Sequence, residues 1–511
     1  ESKAVELGFR IFNLAEPLFP GDTISLFFDV EAHVQGFSDN NPKNEIVANG
    51  TCLMFSGGEN YQYFPGIGFS NTMVLKNKED RKKYGLPERK NAPGLLEYDP
   101  TKPYMATSLI TYDAEISTAG DQVVVSNGEL VGQWTKEGRN YFHFRSDSLI
   151  HDELIIASGR YAVKSEKYDG VNIEVYYHPK HDFNIERIIR GVKSGLDFCG
   201  STFSPFPYQT LRVVEIPDYM KTGGARSQPT VFIWREDAGF IRKLDEDGPL
   251  DDVFGIAAHE LGHQWWAYMV SPAKVEGVGL ITESVCNYIW TMCLENAYGK
   301  DDVDRYLKRD MDRYLRGRKR DVEGERAMAY TYDRQAYLNY FKGSLVMYAL
   351  KDYIGEDSLR VALSRLVQRF SWRYDTFPSS ADMIKEIRLV TPDTMQYLVT
   401  DLLEKIILYE NEAVSASFEE LPDGRYKVTM NLEARKFYAD SIGNQMATPL
   451  QDYIAVGIFG ENGKELYLHK HLFTEEENTV TVIVDEKPVK AGIDPYVILI
   501  DKDRIDNMVK L

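Results

Sequence analysis

The sequence predicts a multidomain α+β protein, β-rich at both ends and helical in between. A chain of 511 residues is too long for one compact core, so two to four domains are expected. The hydrophobic period changes from two to 3.6 after about residue 169 and returns to two after about residue 412. Hydrophobic residues make up 43% of the chain and aromatics 12%, which fills several cores and excludes a disordered chain.

Residues 1–168 read as a β-rich domain. DTISLFFDVEAHV and QVVVSNGELVGQW alternate apolar and polar residues, and NNP, SGG and NG mark turns between strands. The middle, 169–411, is helical. Ile185, Ile188, Ile189, Val192 and Leu196 fall at i, i+3, i+4, i+7 and i+11, one helical stripe. Further helical patterns cover about 251–269, 280–298, 302–316, 335–354, 358–370 and 393–409. The charged run DDVDRYLKRDMDRYLRGRKR is expected to be a solvated helix face. In 412–511, RYKVTMNLEARKFY, DYIAVGIFG and TVTVIVDEKP alternate again, which predicts a small antiparallel β-sandwich.

Charge and cysteines narrow the function. Asp and Glu outnumber Lys and Arg by 78 to 59, and a surface that acidic repels phosphate backbones, so no nucleic acid partner is expected. The four cysteines (Cys52, Cys199, Cys286 and Cys293) contain no CxxC pair. They are expected to be small buried apolar side chains rather than a metal or disulfide framework. No run approaches the roughly 18 apolar residues of a membrane span. ESKAVELGFR has neither a basic n-region nor an apolar h-region, so no signal peptide is expected at this start. A chain that begins without Met is expected to be a mature product or a domain of something longer.

The chemistry sits in DDVFGIAAHELGHQWWAYMV, which contains His259-Glu260-Leu261-Gly262-His263. Residues four apart on an α-helix lie about 40° apart around its axis. Both imidazoles therefore leave one face and can reach a single Zn²⁺ at about 2.0–2.1 Å. Glu260, next to the first ligand, is placed to act as a base on the attacking water. With only nine histidines in the chain, this register is a rare coincidence. A catalytic zinc needs a third protein ligand and an open position, and GLITESVCNYIWTMCLENAYG offers Glu283, with nineteen residues between it and His263. Asn287, one turn later, is a candidate for orienting a ligand.

These residues resemble the aminopeptidase N and leukotriene hydrolase family of gluzincin metallopeptidases, in HELGHQWW, in the later acidic ligand and in Tyr340-Phe341-Lys342-Gly343. That last segment is similar to the family's Y-x-K-G, whose tyrosine stabilises the oxyanion of the tetrahedral intermediate. It lies 80 residues after Glu260. HQWW, TESVCNYIW, YLRGR, FKGSLVMYALKDYIGEDS, LEARKFYAD and AGIDPY are similar to a narrower group, the aminopeptidase-like domains fused to bacterial ABC transporter permeases. That group carries the nineteen-residue spacing, whereas the broader family has eighteen residues there. The resemblance spans about residue 170 to the end, and more loosely the β-rich start. It implies an N-terminal β-saddle domain, a thermolysin-like, mostly α catalytic domain and a C-terminal β-sandwich. It also implies one zinc per chain, a peptide substrate, and permease segments in a longer membrane-anchored bacterial parent, with this domain outside the cytoplasm.

One departure bears on substrate. The family's G-A-M-E-N segment, whose glutamate grips the substrate's free amine, falls on Gly224-Ala225-Arg226-Ser227-Gln228. An ammonium group pairs with a carboxylate, not with a hydroxyl beside a guanidinium. The family's Q-x-E near the substrate N-terminus has no clear counterpart in MFSGGENYQYFPG. The expected function is zinc-dependent peptide hydrolysis by Glu-assisted attack of a zinc-bound water, aminopeptidase-like with altered N-terminus recognition. The alternative is a catalytically weak, zinc-containing peptide-binding module of an ABC transporter permease. A lipid or epoxide hydrolase is a more distant third.

Overall fold

The computed structural model describes residues 2–4, 9–31, 46–47, 50–55, 75, 78–87, 92–104, 109–220, 223–244, 250–332 and 335–511. Most of MFSGGENYQYFPG, from residue 56 on, lies outside the described residues.

Among the described residues the β-rich start builds two larger sheets and two two-stranded pairings. One has four antiparallel strands in the order Ile46–Val47, Gly50–Phe55, Leu154–Gly159, Val123–Ser126. The other joins Asp113–Ala119, Arg139–Arg145 and Glu129–Lys136. QVVVSNGELVGQW thus supplies one strand to each. DTISLFFDVEAHV does not behave as expected. Residues 22–31 pair with no strand among the described residues, and Phe27 is 91% exposed. Alternation says which face a strand would bury, but a strand also needs a neighbour to take its backbone groups.

Five strands form the central sheet, in the order Ala162–Tyr168, Val171–Tyr177, Thr210–Ile216, Val231–Arg235, Ala225–Gln228. The middle three run parallel and the outer two antiparallel. A parallel pair needs a crossover, which α1 (Ile185–Thr202) supplies, burying the expected Ile185, Ile188, Ile189, Val192 and Leu196 stripe. Residue 168 lies at the end of a strand already paired into this sheet.

Among the described residues six longer helices follow: α2 (Asp252–Gly262), α3 (Val285–Tyr298), α4 (Lys300–Arg318), α5 (Gly343–Ile354), α6 (Glu356–Phe370) and α7 (Ser380–Val390). They share one core with the central sheet. The charged run is a helix whose apolar stripe (Val303, Tyr306, Leu307, Met311 and Tyr314) is buried.

Two expected helices differ. The pattern at 251–269 stops as an α-helix at Gly262, and the chain leaves helical angles at Trp266 and Ala267. Of 393–409, only Gln396–Val399 is α-helical, and a strand begins at Ile407. Beyond it, two four-stranded sheets close over a second core that includes Val428, Met430, Ile454, Val456 and Ile493. All four cysteines are buried and unpaired with one another, as expected.

Candidate active site

Helix α2 is fixed at its start by Asp251, whose carboxylate accepts the Phe254 N–H at 3.0 Å and a hydrogen bond from Tyr298 at 2.7 Å. That satisfies one of the helix's orphan donors. Its packing on α3 depends on having no side chain at Gly262, where a Cβ would lie 2.9 Å from Ile289 Cδ1 and 3.1 Å from Cys286 Sγ. The approach brings His259 and His263 against the chain that carries Glu283.

Glu283 lies in a π-helical turn, Leu280–Ser284, that leads directly into α3. A π turn takes one residue more than an α turn and recurs at functional sites. The nineteen-residue spacing therefore still delivers the carboxylate to the histidines. Tyr340 sits in a second such turn, Tyr337–Lys342, ahead of α5. Gly343 lets the two turns touch, since a Cβ there would meet Ser284 Oγ at 2.3 Å. Asn287 does not orient a metal-binding side chain. It donates to the Tyr340 carbonyl at 2.7 Å and so holds the tyrosine's turn. Lys342 pairs with Glu325 at 2.9 Å with both side chains buried.

The Nε2 atoms of His259 and His263 lie 3.4 and 3.5 Å from Glu283 Oε2. A tetrahedral ion with bonds of about 2.0–2.2 Å holds its ligands roughly 3.3–3.6 Å apart. Glu283 Oε2 is buried with no hydrogen-bond donor, as a ligand atom awaiting a cation would be. The three residues therefore fit a zinc-type ion. Burial works against charge on Glu283, but His263 and His259 outweigh it and hold the carboxyl well below the usual range. His263 Nδ1 contacts Cys286 Sγ at 3.4 Å, whereas His259 Nδ1 has no partner.

Glu260 is buried, and burial pushes its carboxyl above the ordinary range against the pull of both imidazoles. The Ser227 backbone N–H, near it, favours the charged form. Tyr340 stacks on His259, with ring centres 5.9 Å apart, and faces the Glu283 carboxylate. Burial and the nearby carboxylates keep its phenol firmly protonated.

All five expected catalytic and metal residues thus converge, and the edge strand joins them. Gly224 takes the Arg235 N–H at 2.9 Å, just ahead of strand Ala225–Gln228. Ser227 Oγ accepts from Gln264 at 2.8 Å, and the Gln228 carbonyl accepts from the same amide. Sequence reasoning missed Tyr268 and Glu153. The Tyr268 hydroxyl lies 2.7 Å from the Ser227 carbonyl and 3.0 Å from Glu153, and Arg226 approaches Glu153 at 3.9 Å. Gln264 and Tyr268 follow the motif closely enough to have been suspects. Glu153 comes from the β-rich start and had no local signal.

Residues 190–394 match the peptidase family M1 domain. That match covers less than half of the chain, and its residues include His259, Glu260, His263, Glu283 and Tyr340. Over this stretch the chain is similar to the aminopeptidase N-like gluzincin peptidases. Endoplasmic reticulum aminopeptidase 2 from Homo sapiens is 23% identical over 214 residues, 40% of this chain and 22% of that protein. The Bos taurus protein of the same name is 23% identical over 223 residues, 42% of this chain and 23% of that one. The chain thus spans less than a quarter of the curated relatives it matches. In fold it is similar to Legionella pneumophila aminopeptidase A in complex with aspartic acid, with a TM-score of 0.52 and 16% identity over 80% of this chain and 46% of that one.

Proposed function

We propose that this chain is a zinc-dependent peptidase, aminopeptidase-like in build, whose reading of the substrate N-terminus is altered. The observation that carries this is the Glu283 oxygen at 3.4 and 3.5 Å from two imidazole nitrogens, with Glu260 and Tyr340 beside it. His259, His263 and Glu283 would hold the zinc. Zinc, when bound, supplies Lewis-acid polarisation of the scissile carbonyl and acidifies water. Glu260 takes the proton from the attacking water and passes it to the leaving amine. Tyr340 donates to the oxyanion, a contact made mainly in the transition state.

The amine end of the site supports the altered reading. Ser227 stands where a free α-amine would need a carboxylate, Glu153 is already engaged by Tyr268, and Arg226 repels an ammonium group. A β-saddle, thermolysin-like and β-sandwich division at 168/169 and 411/412 is part of this reading. A tether to permease segments rests on the sequence resemblance alone. Among the described residues no helix is long and apolar enough to cross a membrane.

Matched reporter peptides with free and acetylated N-termini test the proposal on zinc-loaded protein, with and without chelator. Chelator-sensitive cleavage of both series is expected, because nothing built here demands a free amine. Cleavage of free-amine peptides alone would keep the peptidase and overturn the altered recognition. No chelator-sensitive cleavage would favour the peptide-binding module.

A further inference from the structure

The three parallel strands of the central sheet end along one edge, and each delivers a metal-ligating side chain there. Val171–Tyr177 runs on into His178 and His181, Thr210–Ile216 carries Glu215 in its last turn of pleat, and Val231–Arg235 runs on into Glu236. Open α/β sheets bind ligands in the crevice beyond the carboxyl ends of parallel strands. Here that crevice is a cavity of about 330 Å³, lined by His178, His181, Glu215, Glu236 and residues of strands Gly50–Phe55 and Leu154–Gly159.

His181 Nδ1 is bonded to Glu215 Oε1 and lies 3.8 Å from Glu236 Oε2. One ligand atom from each of the three lies within 4.8 Å of the others. The other Glu215 oxygen accepts the His178 N–H at 2.6 Å, and the two imidazole rings are 4.6 Å apart. His178 Nδ1 accepts the Lys180 N–H at 3.3 Å, so Nε2 is its remaining position. The Glu215 side chain is only 5% exposed. Among the described residues neither Glu215 nor Glu236 is paired with lysine or arginine. Two carboxylates thus face one imidazole in a partly closed cavity, an arrangement that burial penalises unless a cation joins it.

We propose that His181, Glu215 and Glu236, with His178 beside them, form a second site for a first-row divalent metal ion, separate from the catalytic one. Mixed imidazole and carboxylate donors suit zinc, manganese or cobalt. The ion takes the place of the His181–Glu215 hydrogen bond and bridges the ends of the three strands.

Metal counting on the full chain tests this. Protein stripped with chelator, reloaded with Zn²⁺ and desalted is expected to retain two equivalents by mass spectrometry. Glu236→Gln and His181→Gln should each retain one, as should His263→Gln, and Glu236→Gln combined with His263→Gln should retain none. Glu236→Gln keeps the side chain's shape, and unchanged circular dichroism checks that it folds. A single equivalent in the unaltered chain, lost in His263→Gln, would show that the cluster holds no metal and overturn the proposal. Two equivalents that both survive Glu236→Gln and His181→Gln would overturn it equally. The count is indifferent to whether the chain cleaves peptides, so it fails or stands apart from the peptidase reading.

Discussion

At Glu260 a single buried carboxylate is set between two imidazoles and a backbone N–H. Tyr340 is placed just as closely, stacked on His259 and facing Glu283. Tyr340→Phe keeps the ring and deletes only the donor. Turnover should fall about 100- to 1,000-fold with KM little changed, as for loss of one oxyanion donor, measured by steady-state kinetics on a cleaved reporter peptide. Cys286 is the sole described contact of the His263 Nδ1 beyond a 3.5 Å approach to the Trp266 carbonyl. Groups that orient a metal-binding histidine typically contribute 10- to 100-fold in affinity. Cys286→Ala should weaken zinc by about that factor, read by competition with a chromophoric chelator.

The elements explain why these residues meet. Gly343 sits where the Tyr340 turn crosses the Glu283 turn, and a methyl group there would press on Ser284 Oγ, Cβ and Cα at 2.3, 2.7 and 3.1 Å. Because backbone is among the atoms met, Gly343→Ala should cost about 1–3 kcal/mol of stability, measured by urea unfolding. It should also lower kcat by separating Tyr340 from Glu283. The local parts of this site were legible in the sequence. HExxH is an i, i+4 relation, and the helical pattern around Glu283 is equally local. The break after His263 was not, because Trp265, Trp266 and Tyr268 are apolar at helical spacing and nothing in their chemistry marks non-helical angles at 266 and 267. Strand Ile407–Glu420 was hidden for the opposite reason. Its central residues, Glu410, Asn411 and Glu412, are polar in a row, and only pairing with Tyr426–Ala439 makes them a strand.

Over the whole molecule, what escaped the sequence is long-range. Glu153 reaches Tyr268 across 115 residues, and no window on the chain reveals that. The alternation at 22–31 promised a strand, yet whether a partner arrives is decided elsewhere in the fold. The order of β-rich, helical and β-rich regions was readable because it follows from the hydrophobic period alone. Since zinc would bind the native state and tie α2 to the turn before α3, its removal should lower the melting temperature, by mass action. A thermal scan with chelator, then with zinc restored, checks this, and the shift should reverse.

The most direct test of the account is metal content and turnover measured together in Glu260→Gln. That substitution leaves His259, His263 and Glu283 untouched and removes only the base. The variant is expected to bind as much zinc as the unaltered protein while cleaving peptide about 100- to 10,000-fold more slowly. Zinc binding preserved with turnover undiminished would contradict the assignment of Glu260 as the base, and with it the mechanism.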